Sequence, residues 1–316
     1  HCCFATLEDA MKQVDEDREI TKELLHDTFG LPFIFFERPQ WDKFPGAERT
    51  FAADVLNPDG RVVQQPSTHV IKQDFPKAFD IKFVDKYGNE KYVWTTCYGP
   101  AISRIFASIV IVHGDDKGLR FPWEIAPKQV VIVPIGNDKE LIKKTKDIKR
   151  VIGDFAEVIV DNSNKSPGEK FNEWEMKGVP VRIDLGRKEL KEKKLTVFRR
   201  DLNKKEIIFE KDLMKHLEKV KRESLKNLTK QADSIFNDRI KNVNSVDEMK
   251  KVIEEGNIAR CGFCSISKEG EKCAEVIEKD VGARVRGTNL KKEKANGKCA
   301  ICNKKSKYVV YIARDY

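Results

Sequence analysis

Apolar residues recur at helical spacing through residues 5–29. Leu7, Ala10, Met11, Val14, Ile20, Leu24 and Leu25 stand among charges, and such a stripe predicts an amphipathic helix. Gly30 and Pro32 stop it. PFIFF (32–36) predicts a strand. FAADVL and RVVQQ flank NPDG (57–60), the composition of a β-hairpin turn. IKFVDKYGNEKYVW (81–94) predicts a second hairpin, turning at Tyr87-Gly88-Asn89. The next stretch, WTTCYGPAISRIFASIVIVHGDDKGL (94–119), reads as a polar loop, an apolar run from Ile105 to Val112, and a tight acidic turn.

Two prolines bracket WEIA and mark a boundary near residues 120–128. Beyond it strands and helices alternate. QVVIVPI, AEVIVD, VPVRIDL and LTVFRRD have strand character, while DKELIKKTKDIKRVI and the surroundings of KFNEWEMK have helical character. That alternation predicts an α/β layered domain. Residues 211–240 predict a long helix with Leu213, Leu217, Val220 and Leu228 on one face. VDEMKKVIEEG (246–256) predicts a shorter one, closed by Gly256. KYVVYIA, near the end, predicts a strand.

The net charge is +9 over 316 residues. That excess fits a polyanionic partner or simply a soluble surface. No apolar run is long enough to span a membrane. The opening HCCFATLEDAMKQVDED has no basic segment before an apolar core, so it does not read as a signal peptide. The first residue is His1, as expected of a processed chain or a fragment. Of eight cysteines, five lie near the end, at 261, 264, 273, 299 and 302. Two CxxC pairs in such a chain point to a metal rather than a disulfide framework, and so to the cytoplasm. Four thiolates suit a structural zinc ion with no open coordination position.

Arg104 stands between the Gly99-Pro100 break and the apolar run. At the mouth of a buried segment an arginine needs an anion, and its planar fork suits either a phosphate or a neighbouring carboxylate. Gln64, Ser67 and His69 form an unusually polar set for a core strand. They mark either a binding surface or an exposed strand edge. Cys97 reads as a nucleophile or as a small buried residue, and no partner histidine is evident for the first role.

Arg104, the apolar helix after it and HGDDKGL resemble motif 3 of a class II aminoacyl-tRNA synthetase, in the wording of prolyl-tRNA synthetases of the archaeal and eukaryotic type. WDKFPGAE (41–48), QVVIVPI (129–135), GEKFNEWEMKGVPVRI (168–183), FRRD (198–201) and ARDY (313–316) agree, in collinear order along nearly the whole chain. The resemblance implies an α+β fold in three parts. Residues 1–125 would be the C-terminal part of the antiparallel-sheet catalytic domain. Residues 126–210 would be the α/β anticodon-binding domain, and residues 211–316 a small α+β zinc domain.

The implied reaction joins ATP and proline to prolyl-adenylate, with Mg2+, and transfers proline to tRNA(Pro). No side chain need be a nucleophile; positioning and cations on the phosphates do the work. By the resemblance Gln64, Ser67 and Arg104 hold ATP, Arg104 being the catalytic cation. His69 and Cys97 flank proline. Lys170, Trp174, Glu175, Lys177 and Arg182 face the anticodon, a basic and aromatic mix suited to RNA. The family's ligand spacing favours Cys273, Cys299 and Cys302 with either Cys261 or Cys264. The plain double-CxxC set, without Cys273, is the rival. Pro66 and Lys72 depart from the family where small residues or glycine are common. Ser163 and Ser166 stand where it usually has arginines. Motifs 1 and 2 of the family lie upstream of His1, so the expectation is the C-terminal portion of a homodimeric enzyme, unable to form the adenylate at a normal rate alone. A non-catalytic tRNA-binding relative is the alternative.

Overall fold

The computed structural model describes residues 1–291 and 293–316. Strand β1 (Cys2–Phe4) leads to helix α1 (Leu7–Lys22), whose N-cap Thr6 accepts the Asp9 backbone N–H. The helix continues as a π-helical turn over Glu23–Thr28, so the predicted helix runs nearly its full length. Its apolar stripe buries Ala10, Val14 and Leu25, each large aliphatic contributing about 1.5–3 kcal/mol. Strands β2 (Ile34–Glu37), β3 (Arg49–Leu56) and β4 (Arg61–Lys72) follow, the last two joined by the expected NPDG turn. Helix α2 (Asp74–Ala78) precedes the small hairpin β5 (Lys82–Val84) and β6 (Glu90–Tyr92).

Trp94–Gly99, expected as a polar loop, is strand β7. Its threonines fit a pleated surface, Thr96 is buried, and the strand pairs with β1 on one side and β4 on the other. Helix α3 (Ile102–His113) carries the apolar run. The acidic turn after it closes with an Asp115–Gly118 bridge.

Next come β8 (Val130–Pro134), α4 (Lys139–Ile152), β9 (Val158–Val160), α5 (Pro167–Met176), β10 (Val181–Leu185), α6 (Arg187–Glu192), β11 (Lys194–Arg199), β12 (Lys204–Phe209) and the long α7 (Leu213–Asp238). The chain ends with β13 (Ile240–Asn242), α8 (Val246–Glu254), β14 (Ile258–Phe263), α9 (Glu271–Val281), β15 (Arg284–Asn289) and β16 (Tyr308–Asp315).

Two compact units result: residues 1–108 with 233–316, and residues 109–232. In the first, nine strands form one sheet in the order β1-β7-β4-β3-β2-β15-β16-β14-β13. Most neighbours are antiparallel, but β16 also pairs parallel to β4, Arg314 opposite Arg61. The terminal segment expected as its own zinc domain thus shares a sheet with the first hundred residues. The second unit has a five-stranded sheet in the order β12-β11-β10-β8-β9, mixed parallel and antiparallel. One of its cores joins Val130, Ile132, Ile183 and Val197 to Leu141, Ile148, Leu213 and Leu217. No helix among the described residues is long and apolar enough to cross a membrane.

Candidate functional site

Strand β4 carries most of the expected ligand-facing residues. Ser67 Oγ lies 3.1 Å from His69 Nε2, and Thr50 Oγ1 lies 3.0 Å from His69 Nδ1. The Phe44 ring packs on the imidazole at 4.9 Å between centroids. Burial lowers the His69 pKa, favouring the neutral ring. Cys97 stands directly opposite His69 on β7, and Gly99 opposite Ser67, so no Cβ crowds the serine. The sequence shows no histidine partner for Cys97; here His1 Nε2 is 3.7 Å from its Sγ. Burial nevertheless raises the Cys97 pKa, so the group is a thiol and a poor nucleophile.

The two departures on β4 have a structural account. The β3–β4 register slips between Ala52 and Asp54, and Pro66 falls in that irregularity, where its missing N–H costs no ladder bond. Lys72 takes the left-handed conformation, φ 58°, at a second slip against β7, and its ammonium pairs with Glu48. That backbone favours glycine, so lysine sits there under strain.

Arg104 is exposed on the first turn of α3 and makes no ion pair among the described residues. The carboxylate alternative is therefore not realised, and the arginine does not sit at a buried mouth. One turn on, Ser108 accepts from Gln65 Nε2 at 2.9 Å, which fastens this helix to β4. Gln64 accepts from Arg38 Nη2 at 3.0 Å. Arg38 is itself held bidentately by buried Asp54, at 2.6 and 3.1 Å. Sequence reading missed Arg38 and Asp54. The signal was there: an aspartate inside the apolar run FAADVL needs a buried cation.

The cysteines divide. Sγ atoms of Cys264, Cys273, Cys299 and Cys302 all lie within 4.8 Å of one another. Cys264 and Cys273 are 3.7 Å apart, close to the ~3.8 Å edge of a tetrahedron with zinc–sulfur bonds of about 2.3 Å. Cys261 lies outside the group, within the β14 core, where burial pushes its thiol up to about 12. The double-CxxC set is thus not the one the fold gathers. The Lys304 backbone N–H holds Cys302 down at about 7, and burial raises Cys264 and Cys273. These four thiols fit a structural zinc ion.

In the second unit the expected RNA-facing residues are mostly used internally. Lys170 is buried, donating to the Asp161 carbonyl at 2.9 Å, and Trp174 Nε1 donates to Asp161 Oδ2 at 2.7 Å. Arg182 is buried, bonded to Glu175 at 2.7 Å and Asp184 at 2.8 Å, between the rings of Phe171 and Phe198. Only Lys177 is exposed, over the Trp174 ring. Ser166 caps α5 in a reciprocal capping box with Glu169, and Ser163 donates to Asp161. A groove of about 670 Å³ borders this cluster, lined by Lys117, Phe171, Glu175, Arg182, Phe198 and Lys205 among others. The acidic turn buttresses it. Asp115 holds buried Arg200 at 2.5 and 2.7 Å, and Gly118, φ 125°, packs so closely on Met176 that a Cβ would lie 2.4 Å from its Cα.

Comparison with known proteins bears on both units. Residues 129–222 match the family model described as an anticodon binding domain, and residues 246–316 the one described as prolyl-tRNA synthetase, C-terminal. A proline–tRNA ligase of Thermofilum pendens is 42% identical over the whole chain, which covers 66% of that protein. One from Methanobrevibacter smithii is 39% identical, with 67% of it covered. The solved structure of Giardia lamblia prolyl-tRNA synthetase in complex with prolyl-adenylate is similar over the whole chain and 68% of its own, with TM-score 0.94 and 30% identity. The chain therefore spans about two thirds of the length of the curated relatives it matches. With identity of this order running unbroken through both units, the chain belongs to the prolyl-tRNA synthetase family.

Proposed function

We propose that this chain works in the ligation of proline to tRNA(Pro). In this reading Gln64, Ser67 and Arg104 hold ATP, and His69 and Cys97 border proline. The observation that carries it is the convergence of Ser67, His69 and Cys97 on adjacent strands, with the opposite Gly99 leaving Ser67 uncrowded. The Giardia relative, similar over the whole chain, was solved with prolyl-adenylate. Arg104, exposed and without an ion pair among the described residues, is available to phosphates, and Mg2+ would accompany them. The groove beside Phe171 and Arg182 is the candidate anticodon surface. There Glu175 and Arg182 act through the groove wall, while Lys117, Lys177 and Lys205 supply exposed charge. Zinc on Cys264, Cys273, Cys299 and Cys302 would brace the C-terminal segment. Eight cysteines outside any disulfide, four of them gathered as for a metal, support a cytoplasmic setting, and the homodimer comes with the family reading.

Proline-dependent ATP–pyrophosphate exchange tests this. It is run on the chain alone and again with the remaining third of a relative supplied. Exchange in either arm that Arg104→Ala abolishes supports the reading. Silence in both, from a folded protein that still binds tRNA, overturns the catalytic part.

A further inference from the structure

The buried ions behind β4 take no part in the chemistry proposed above, yet they end on one of its residues. Arg38 spends both terminal nitrogens inward. Nη2 donates to Asp54 and to Gln64 Oε1, and Nη1 donates to Asp54 and to the backbone carbonyl of Arg286 at 2.7 Å. Arg286, on β15, donates from Nε to Asp54 Oδ2 at 2.7 Å and from Nη1 to Asp315 Oδ2 at 2.6 Å. Arg38, Asp54 and Arg286 are all buried. Burial raises the Asp54 carboxyl, but the two guanidinium groups outweigh it and keep the group ionised. Asp54 thus answers both buried guanidinium groups, and the partly exposed Asp315 pairs with Arg286 and, at 3.8 Å, with Arg284.

A guanidinium only donates. The end of the Gln64 amide facing Arg38 must therefore be its oxygen, and its NH2 points elsewhere. We infer that Arg286 is a positioning residue for Gln64, acting through Asp54 and Arg38, and that the Gln64 group offered to the nucleotide is a donor. Its ligand atom is then an acceptor: a phosphate oxygen, a ribose oxygen or a ring nitrogen. Arg286 grips Arg38 twice, through the shared carboxylate and through its own carbonyl. The carbonyl is set by a register slip between Val285 and Gly287. Gly287, φ 134°, lies so close to β2 that a Cβ would stand 2.2 Å from the Glu37 oxygen. A C-terminal strand thereby fixes a side chain on β4. The nucleotide half of this inference rests on the reading of Gln64 given above.

The test uses the full chain labelled with 15N. The Gln64 side-chain NH2 signals are assigned by their loss in Gln64→Ala. We expect Arg286→Met to shift or broaden them, and Asp315→Asn, a milder change, to do so in the same direction. ATP binding is then measured calorimetrically for wild type, Gln64→Ala, Arg286→Met and the double variant. Each single change should weaken ATP fivefold or more, and the double variant should bind no worse than Gln64→Ala. Unmoved Gln64 signals in both network variants overturn the positioning role, as do losses that multiply in the double variant. ATP binding unaffected by Gln64→Ala overturns the nucleotide reading instead, and the NMR arm still decides the positioning. If Arg286→Met does not fold, Asp315→Asn carries both arms.

Discussion

Ser67 Oγ and His69 Nε2 stand 3.1 Å apart on strand β4, and Thr50 closes the other side of the ring at 3.0 Å. Because Phe44 N–H already donates to Thr50 Oγ1, that hydroxyl is free to donate its own proton to His69. The ring is buried and its pKa lies below the ordinary 6.5. The unfolded chain then binds the proton more readily than the folded one, so this contribution is complete above pH 6.5 and is lost as pH falls below it. Urea midpoints should decline from pH 6.5 downward, and His69→Gln should flatten that decline. An unchanged slope in the variant would assign the loss to other groups. Under the proline reading, His69→Ala should also weaken proline binding roughly tenfold, about one lost hydrogen bond, with ATP affinity little changed.

His26 has the opposite sign. Burial works against its charge, but Asp27 and Asp233 outweigh that and raise its pKa. Its contribution is complete below pH 6.5 and disappears as pH rises through the raised value. Partial exposure and screening keep it small. An NMR titration of the ring should give a midpoint above 6.5, and Asp233→Asn should lower it.

One zinc ion per chain is expected, from the group of four cysteines. Cys273→Ser should lose the metal and lower the melting temperature, and a strong chelator should do the same to the wild type. Cys261→Ser places a hydroxyl in a core and should cost about 1–3 kcal/mol while the metal count stays at one. Metal analysis of the two variants side by side separates the sets.

Lys170 and Lys205 should part company. Lys170→Met leaves Asp161 short of a buried donor and should destabilise the second unit by about 3 kcal/mol. Lys117→Ala and Lys205→Ala should leave the melting temperature nearly unchanged. Each should reduce the salt dependence of tRNA binding by about one unit of slope. Unchanged slopes in both would exclude this groove from the RNA interface.

Strong local chemistry was legible along the chain. The NPDG turn gave β3 and β4, and the stripe Leu213, Leu217, Val220 and Leu228 gave most of α7. Trp94–Gly99 misled because its polar residues resemble a loop until β4 supplies a partner. The cysteine set needed phase: Cys261 falls within β14 and points into its core, whereas Cys264 lies just past the strand's end, 3.7 Å from Cys273. Spacing alone cannot tell which way a strand faces. Lys170, Trp174 and Arg182 carried the right chemistry for RNA, but the turn of α5 and the pleat of β10 direct them inward. Asp54 inside FAADVL signalled a buried cation, but Arg286 could not be read as one because the two are 232 residues apart.

The pairing of β16 with β4 also dictates an order of events. Residues 109–232 are contiguous, so their internal contacts do not wait for the end of the chain. The first unit cannot finish its sheet until Arg314 reaches Arg61. At 5–20 residues per second the early strands wait on the order of ten seconds or more. During that wait β2 has no β15 along its free side, and an open strand edge is a template for wrong partners. Slow closure of distant strands should therefore limit folding of this chain, and chaperone dependence should follow the first unit rather than the second.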